Sequence, residues 1–204
     1  MNSTSLIAGI ITTLLFLGSN ASSATITYIY TGHGSGDLGG VPFFNEDFTI
    51  SATGNTADRE NHGVGIFSIN NSTATINIAD VGNLTISSPT RLFVNNLENT
   101  VGFSHAGFGG LDLFNTVNPA FGSWKMMNSI GPVDGIGKLI QWDGFGTDPD
   151  LDLVMTSEGI LSFNDSYDVA ATFQATVSPI PEPSTYALLL VGLGVMGFLA
   201  RVRA

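Results

Sequence analysis

Hydrophobic and polar residues alternate with a period of two through most of the chain between residues 25 and 180. Thr25–Thr31 puts Ile26, Tyr28 and Tyr30 on one side. In Thr73–Ala79, Ala74, Ile76 and Ile78 share one face while Thr73, Thr75 and Asn77 form the other. This is the signature of antiparallel strands with one buried and one wet face. Shorter β-type runs follow the same pattern: Phe48–Thr53, Val64–Asn70, Leu84–Ser87, Leu92–Asn95, Val101–Ser104, Leu111–Phe114, Ile136–Trp142, Leu151–Thr156, Ile160–Phe163 and Val169–Val177. Turn signals such as Gly39-Gly40, Gly54-Asn55, Asn70-Asn71, Gly82-Asn83 and Asn95-Asn96 separate them. No long helical period appears in this region. Many short strands with regular turns predict an all-β fold, an antiparallel β-sandwich of jelly-roll type.

Two stretches interrupt the pattern. The Gly-rich segment Gly32 to Gly40 lacks the G-K-[ST] ending of a phosphate loop and reads as a tight turn. Residues 115–135 are loop-rich, with Pro119 and Pro132, and predict a long connection inside one β domain rather than a boundary between two.

The ends differ from the middle. Leu6 to Leu17 is an apolar run too short to span a bilayer comfortably, and small residues follow it. Residues 1–24 therefore read as a secretory signal peptide. Two pairs of small residues suit a signal peptidase, Ser19 with Ala21 and Ser22 with Ala24. The cut is expected after Ala24, where strand-like sequence begins. At the other end, Tyr186 to Ala200 carries no charge. Fifteen helical residues cover only about 22 Å, so a membrane helix at about 184–200 would be short. Pro183 suits a helix start, and Arg201 and Arg203 after the run would act as a membrane stop that keeps the tail end inside.

Composition narrows the chemistry. The chain has 204 residues and no cysteine, which excludes thiol catalysis, disulfides and thiolate metal sites. Residues 25–180 hold 16 acids against four bases, Arg59, Arg91, Lys125 and Lys138. That balance leaves no footprint for nucleic acid and suits a soluble extracellular body.

Pro181-Glu182-Pro183, then Ser184-Thr185, an apolar segment with glycines and two terminal arginines together resemble a PEP-CTERM sorting signal over residues 179–204. The resemblance implies recognition by an exosortase, a membrane-embedded transpeptidase-like enzyme, and cleavage near the Pro-Glu-Pro motif. It places the chain in a Gram-negative bacterium that makes extracellular polysaccharide. Residues 31–54 are also similar to the opening of many PEP-CTERM bodies of unassigned activity. The organisation that follows is a signal peptide at 1–24, a β domain at 25–178 and the sorting signal at 179–204.

Candidate chemistry in the body is sparse. His33, His62 and His105 show no paired ligand spacing and read as loop or surface residues. No G-x-S-x-G elbow occurs. Asp148, Asp150 and Asp152 fall on one side of an extended segment and are a candidate calcium site, although an EF-hand loop is missing. Trp142 alternates with Ile140 and reads as core. Trp124, in the Pro/Gly-rich connection, is the candidate for stacking on a sugar ring. The leading expectation is an exported surface or matrix protein with a non-catalytic body and no cofactor. The alternative is a secreted carbohydrate-binding module assisted by calcium, with extracellular polysaccharide as its partner. A secreted hydrolase ranks third.

Overall fold

A computed structural model describes residues 24–106, 112–139, 154–164, 168–179, 189–196 and 201. Among the described residues, every β-type run of the sequence overlaps a strand. In chain order these are β1 (Ala24–Leu38), β2 (Val41–Asn55), β3 (Glu60–Asn61), β4 (Ile66–Ile78), β5 (Gly82–Thr85) and β6 (Thr90–Asn95). Then come β7 (Thr100–His105), β8 (Asp112–Val117), β9 (Ile130–Leu139), β10 (Val154–Thr156), β11 (Gly159–Phe163) and β12 (Asp168–Pro179).

The expected jelly-roll sandwich is replaced by a closed barrel. Each of β1, β2, β4, β6, β7, β8, β9 and β12 pairs antiparallel with the next of that set, and β12 returns to pair with β1. The result is an eight-stranded up-and-down barrel. Sandwich and barrel bury one face of every strand, so alternation alone does not separate them. The deciding feature is the reach of β1. It is 15 residues long. One edge pairs with β2 along its length, while the other pairs with β12 over Thr31 to Ala24 and with β11 over Gly36 to Leu38. Closure leaves the wall without a free edge, the stretch of unpaired backbone that invites aggregation.

β1 is this long because the Gly-rich segment is strand rather than turn. Only Gly39 and Gly40 turn the chain; both have positive φ, 59° and 91°, as a two-residue hairpin requires. Gly32, Gly34 and Gly36 continue the inward-facing set of Ile26, Tyr28 and Tyr30. A Cβ on Gly34 would lie 2.7 Å from Leu139 and 2.9 Å from the Phe163 ring. The missing side chains make room for aromatic rings inside the barrel, which is why glycine alternates here.

Those rings form a connected core. Tyr30 lies 4.7 Å from Phe173 and 5.8 Å from Phe114, centroid to centroid. Phe48 links Phe114 to Phe163, each 5.2 Å away. Edge-to-face pairs of this kind add to the gain from burial alone. The 115–135 connection packs into this core. After β8, Asn118 caps a short 3₁₀ turn, Pro119–Ser123. Phe121, Trp124 and Met126 are buried there, and both Phe121 and Trp124 contact Phe173, at 5.5 and 5.4 Å. Asn96 holds the turn in place by donating to the carbonyls of Phe121 (2.6 Å) and Trp124 (2.8 Å).

Asn70-Asn71, a predicted turn, is the middle of β4. There the strand passes from pairing β6 to pairing β2, with a register shift between Thr53 and Gly54. Asn71 is held from inside the barrel: the Tyr28 hydroxyl donates to its Oδ1, and its amide donates to Thr90 Oγ1 at 2.8 Å.

Candidate functional site

Two places combine polar chemistry with position: the outer face of β4, β6, β7 and β8, and the segment that follows β12. On the outer face, Leu92 and Val94 point inward, so Arg91, Phe93 and Asn95 point outward. Register aligns Asn70, Arg91, Ser104 and Asp112 in one row across the four strands. Asp112 joins that row because of a bulge. Phe103 pairs with Phe114 but Ser104 pairs with Asp112, leaving Leu113 as the extra residue. A bulge of this kind re-aims the side chain beside it.

A strap covers the row. β3 lies along β4, and Gly63 to Ile66 turns the chain back. Arg59 anchors the strap, with its guanidinium 4.7 Å above the Phe67 ring and donating to the Lys125 carbonyl at 3.3 Å. Between strap and sheet lies a pocket of about 150 Å³ lined by His62, Ser68, Arg91, Phe93, Asn95 and Asp112. Arg91 is only 7% exposed and donates through Nε to Ser104 Oγ at 2.8 Å. Burial lowers its pKa, opposed by the charges of Asp112 and Glu60. Burial raises the pKa of Asp112, opposed by Arg91.

His62, expected in a loop, is held by Ser68: Nε2 and Oγ are 2.8 Å apart. Glu60 reaches the same nitrogen at 3.6 Å. A Ser-His-acid relay uses opposite ring nitrogens, so this trio lacks the geometry of one. His33 lies within β1 opposite Asp47, and His105 is buried at the end of β7. Neither is the exposed loop residue expected. The sequence signal for the pocket was Arg91 itself, a charge inside the β run of β6.

Trp124 is not an exposed sugar platform. It is 4% exposed, packed edge-on against Phe173, and its indole N–H donates to the Asn128 carbonyl at 2.9 Å. A connection that plugs a barrel needs large apolar side chains, so the tryptophan turns inward. Trp142, Asp148, Asp150 and Asp152 lie outside the described residues. Among the described residues, no three His, Asp or Glu side chains converge to hold a metal.

The second place begins where the barrel closes. Pro179, the last residue of β12, pairs with Ala24, the first of β1. The Ala24 amide donates to Thr56 Oγ1, and its carbonyl accepts from the same hydroxyl, both at 3.2 Å. The predicted cleavage residue is thus part of the closing strand. Pro181, Glu182, Pro183, Ser184, Thr185 and Arg203 lie outside the described residues, while residues 189–196 and Arg201 are helical and exposed. Among the described residues no helix is long and apolar enough to cross a membrane. A family model described as a PEP-CTERM protein-sorting motif matches residues 179–204. The chain carries a PEP-CTERM sorting domain. Its first matched residue, Pro179, is also the last residue of β12. The PEP-CTERM motif implies an exosortase as sorting partner and export across a Gram-negative membrane. No curated protein and no solved structure matches the chain.

Proposed function

We propose that this PEP-CTERM protein is an exported barrel whose body is non-catalytic at the cell surface or in the extracellular matrix. A signal peptide starts export. The apolar tail and Arg201 and Arg203 hold the chain in the membrane, and an exosortase cuts near Pro181–Pro183. The observation that carries this reading is the sorting motif at 179–204, directly after the closing strand. The acidic body, with 16 acids against four bases, agrees with life outside the cell.

Intact mass of the chain from its own host, in membrane and medium fractions, tests this. The expected product ends near Pro181–Pro183 and lies outside the membrane. A chain that keeps Tyr186 to Ala204 in the membrane fraction refutes processing. The same spectrum reads the N-terminus. It is expected to show a mature start at Thr25, after the cut that follows Ala24.

A further inference from the structure

The outer-face pocket holds two opposite charges that do not meet, a buried Arg91 and a half-buried Asp112. Arg91 and Asp112 stand two strands apart in one row, with Ser104 between them, a span of roughly 10 Å between backbones. Among the described residues no carboxylate lies within 4.0 Å of the Arg91 guanidinium. Its one hydrogen bond uses Nε, so the terminal N–H groups have no acceptor among those residues, and the Asp112 carboxylate has no donor. Both charges are partly drawn out of water, so each keeps hydrogen-bonding capacity for an occupant of the pocket. The pocket that both line measures about 150 Å³.

The chemistry of an occupant follows from that pair. An anion would meet Asp112 and a body with 16 acids against four bases; a cation would meet Arg91. A neutral group that accepts from the guanidinium and donates to the carboxylate satisfies both. A hydroxyl does this, and two adjacent hydroxyls do it for both charges at once. Arg91, with its planar fork, suits such paired acceptors. Phe93 adds an apolar wall and lies tight on the strand surface; a Cβ on Gly102 would sit 2.2 Å from its ring. An apolar wall with a few convergent polar groups is the usual make-up of a small-ligand site.

We propose that this pocket binds the vicinal hydroxyls of a neutral sugar, with Arg91 donating to them, Asp112 accepting from them and Phe93 covering the ring carbons. The proposal does not depend on how the chain is sorted.

The test uses the full chain in mild detergent, titrated separately with glucose, galactose, mannose and inorganic phosphate, and followed by amide shifts and calorimetry. At least one neutral sugar is expected to saturate and to move the amides of Arg91, Phe93, Asn95 and Ser104. Asp112→Asn keeps the side-chain shape, and Arg91→Lys keeps the charge but loses the fork. Each is expected to weaken that sugar about tenfold, equal to about 1.4 kcal/mol. Lys138→Gln, outside the pocket, should leave it unchanged. Saturation by phosphate alone would overturn the proposal in favour of an anion site. It also fails if no sugar saturates, which leaves a water-filled pocket, or if binding survives both variants. The shift map in the unmutated chain decides the matter even where a variant folds poorly.

Discussion

Tyr28 and Tyr30 are neighbours on one inward face, both fully buried, yet their hydroxyls have opposite fates. The Tyr28 hydroxyl donates to Asn71, which in turn holds Thr90. The Tyr30 hydroxyl has no hydrogen-bond partner among the described residues. Removing one oxygen from each should therefore move stability in opposite directions. Tyr28→Phe strands the Asn71 carbonyl oxygen and should cost about 1–3 kcal/mol, the usual penalty for orphaning a buried acceptor. Tyr30→Phe removes a hydroxyl that folding strips of water without return, and should stabilise by about 1 kcal/mol. For a domain of this size each kcal/mol shifts Tm by about 2–4 °C, so the two melting points should separate by about 4–16 °C. Thermal melts by circular dichroism, with urea midpoints as a check, read this directly. A Tyr30→Phe variant that melts as low as Tyr28→Phe would refute the assignment of the two hydroxyls. An alkaline titration adds a second readout. Burial raises both phenol pKa values well above 10.0, and for Tyr30 the nearby Tyr28 and Asp112 add to the rise. Folded values above the unfolded value mean stability that is present below about pH 10 and lost as pH climbs through the raised values. The unmutated chain should show two tyrosines that ionise only as it unfolds.

Three further predictions follow from the same packing. Phe173→Ala removes the ring that touches Tyr30, Phe121 and Trp124, and should cost about 3–5 kcal/mol, while Phe44→Ala, at a residue 73% exposed, should change urea midpoints little. Asn96→Ala removes the side-chain donor from the Trp124 carbonyl and leaves that of Phe121 with only the Trp124 N–H; a loss of about 1–3 kcal/mol should come with faster amide exchange at 119–126. Asp112 has a raised folded pKa, chiefly from burial, so it binds a proton more readily in the native state. Its contribution to stability is present below about 3.8 and lost as pH rises through the raised value. Asp112→Asn should accordingly gain on the unmutated chain as pH rises from the acid range to neutrality. Parallel urea midpoints across that range would disprove it.

The strands were legible because alternation is a local property. Ile26, Tyr28 and Tyr30 must share a face wherever β1 is placed, and so must Ala74, Ile76 and Ile78. The sorting segment was legible for a related reason. Pro181 to Thr185, the apolar run and the arginines are read by another protein as linear sequence, so no folding is needed to recognise them. Closure into a barrel was not legible. It rests on β1 meeting β12 across more than 140 positions of chain, and alternation is the same in a sandwich. The glycines of Gly32 to Gly40 misled for the same reason: locally they signal a turn, and only the rings of Phe48, Phe114 and Phe163 opposite them show why they are strand. Trp124 turned inward because the connection carrying it fills the barrel beside Phe173. The pocket depends even more on tertiary structure. Arg91, Ser104 and Asp112 lie on three consecutive strands, and Asp112 joins the row of the other two only because a single extra residue, Leu113, shifts the register between β7 and β8. Local pattern decides which face a residue takes. Long-range pairing decides which residues meet, because strand partners are chosen by closure of the whole sheet.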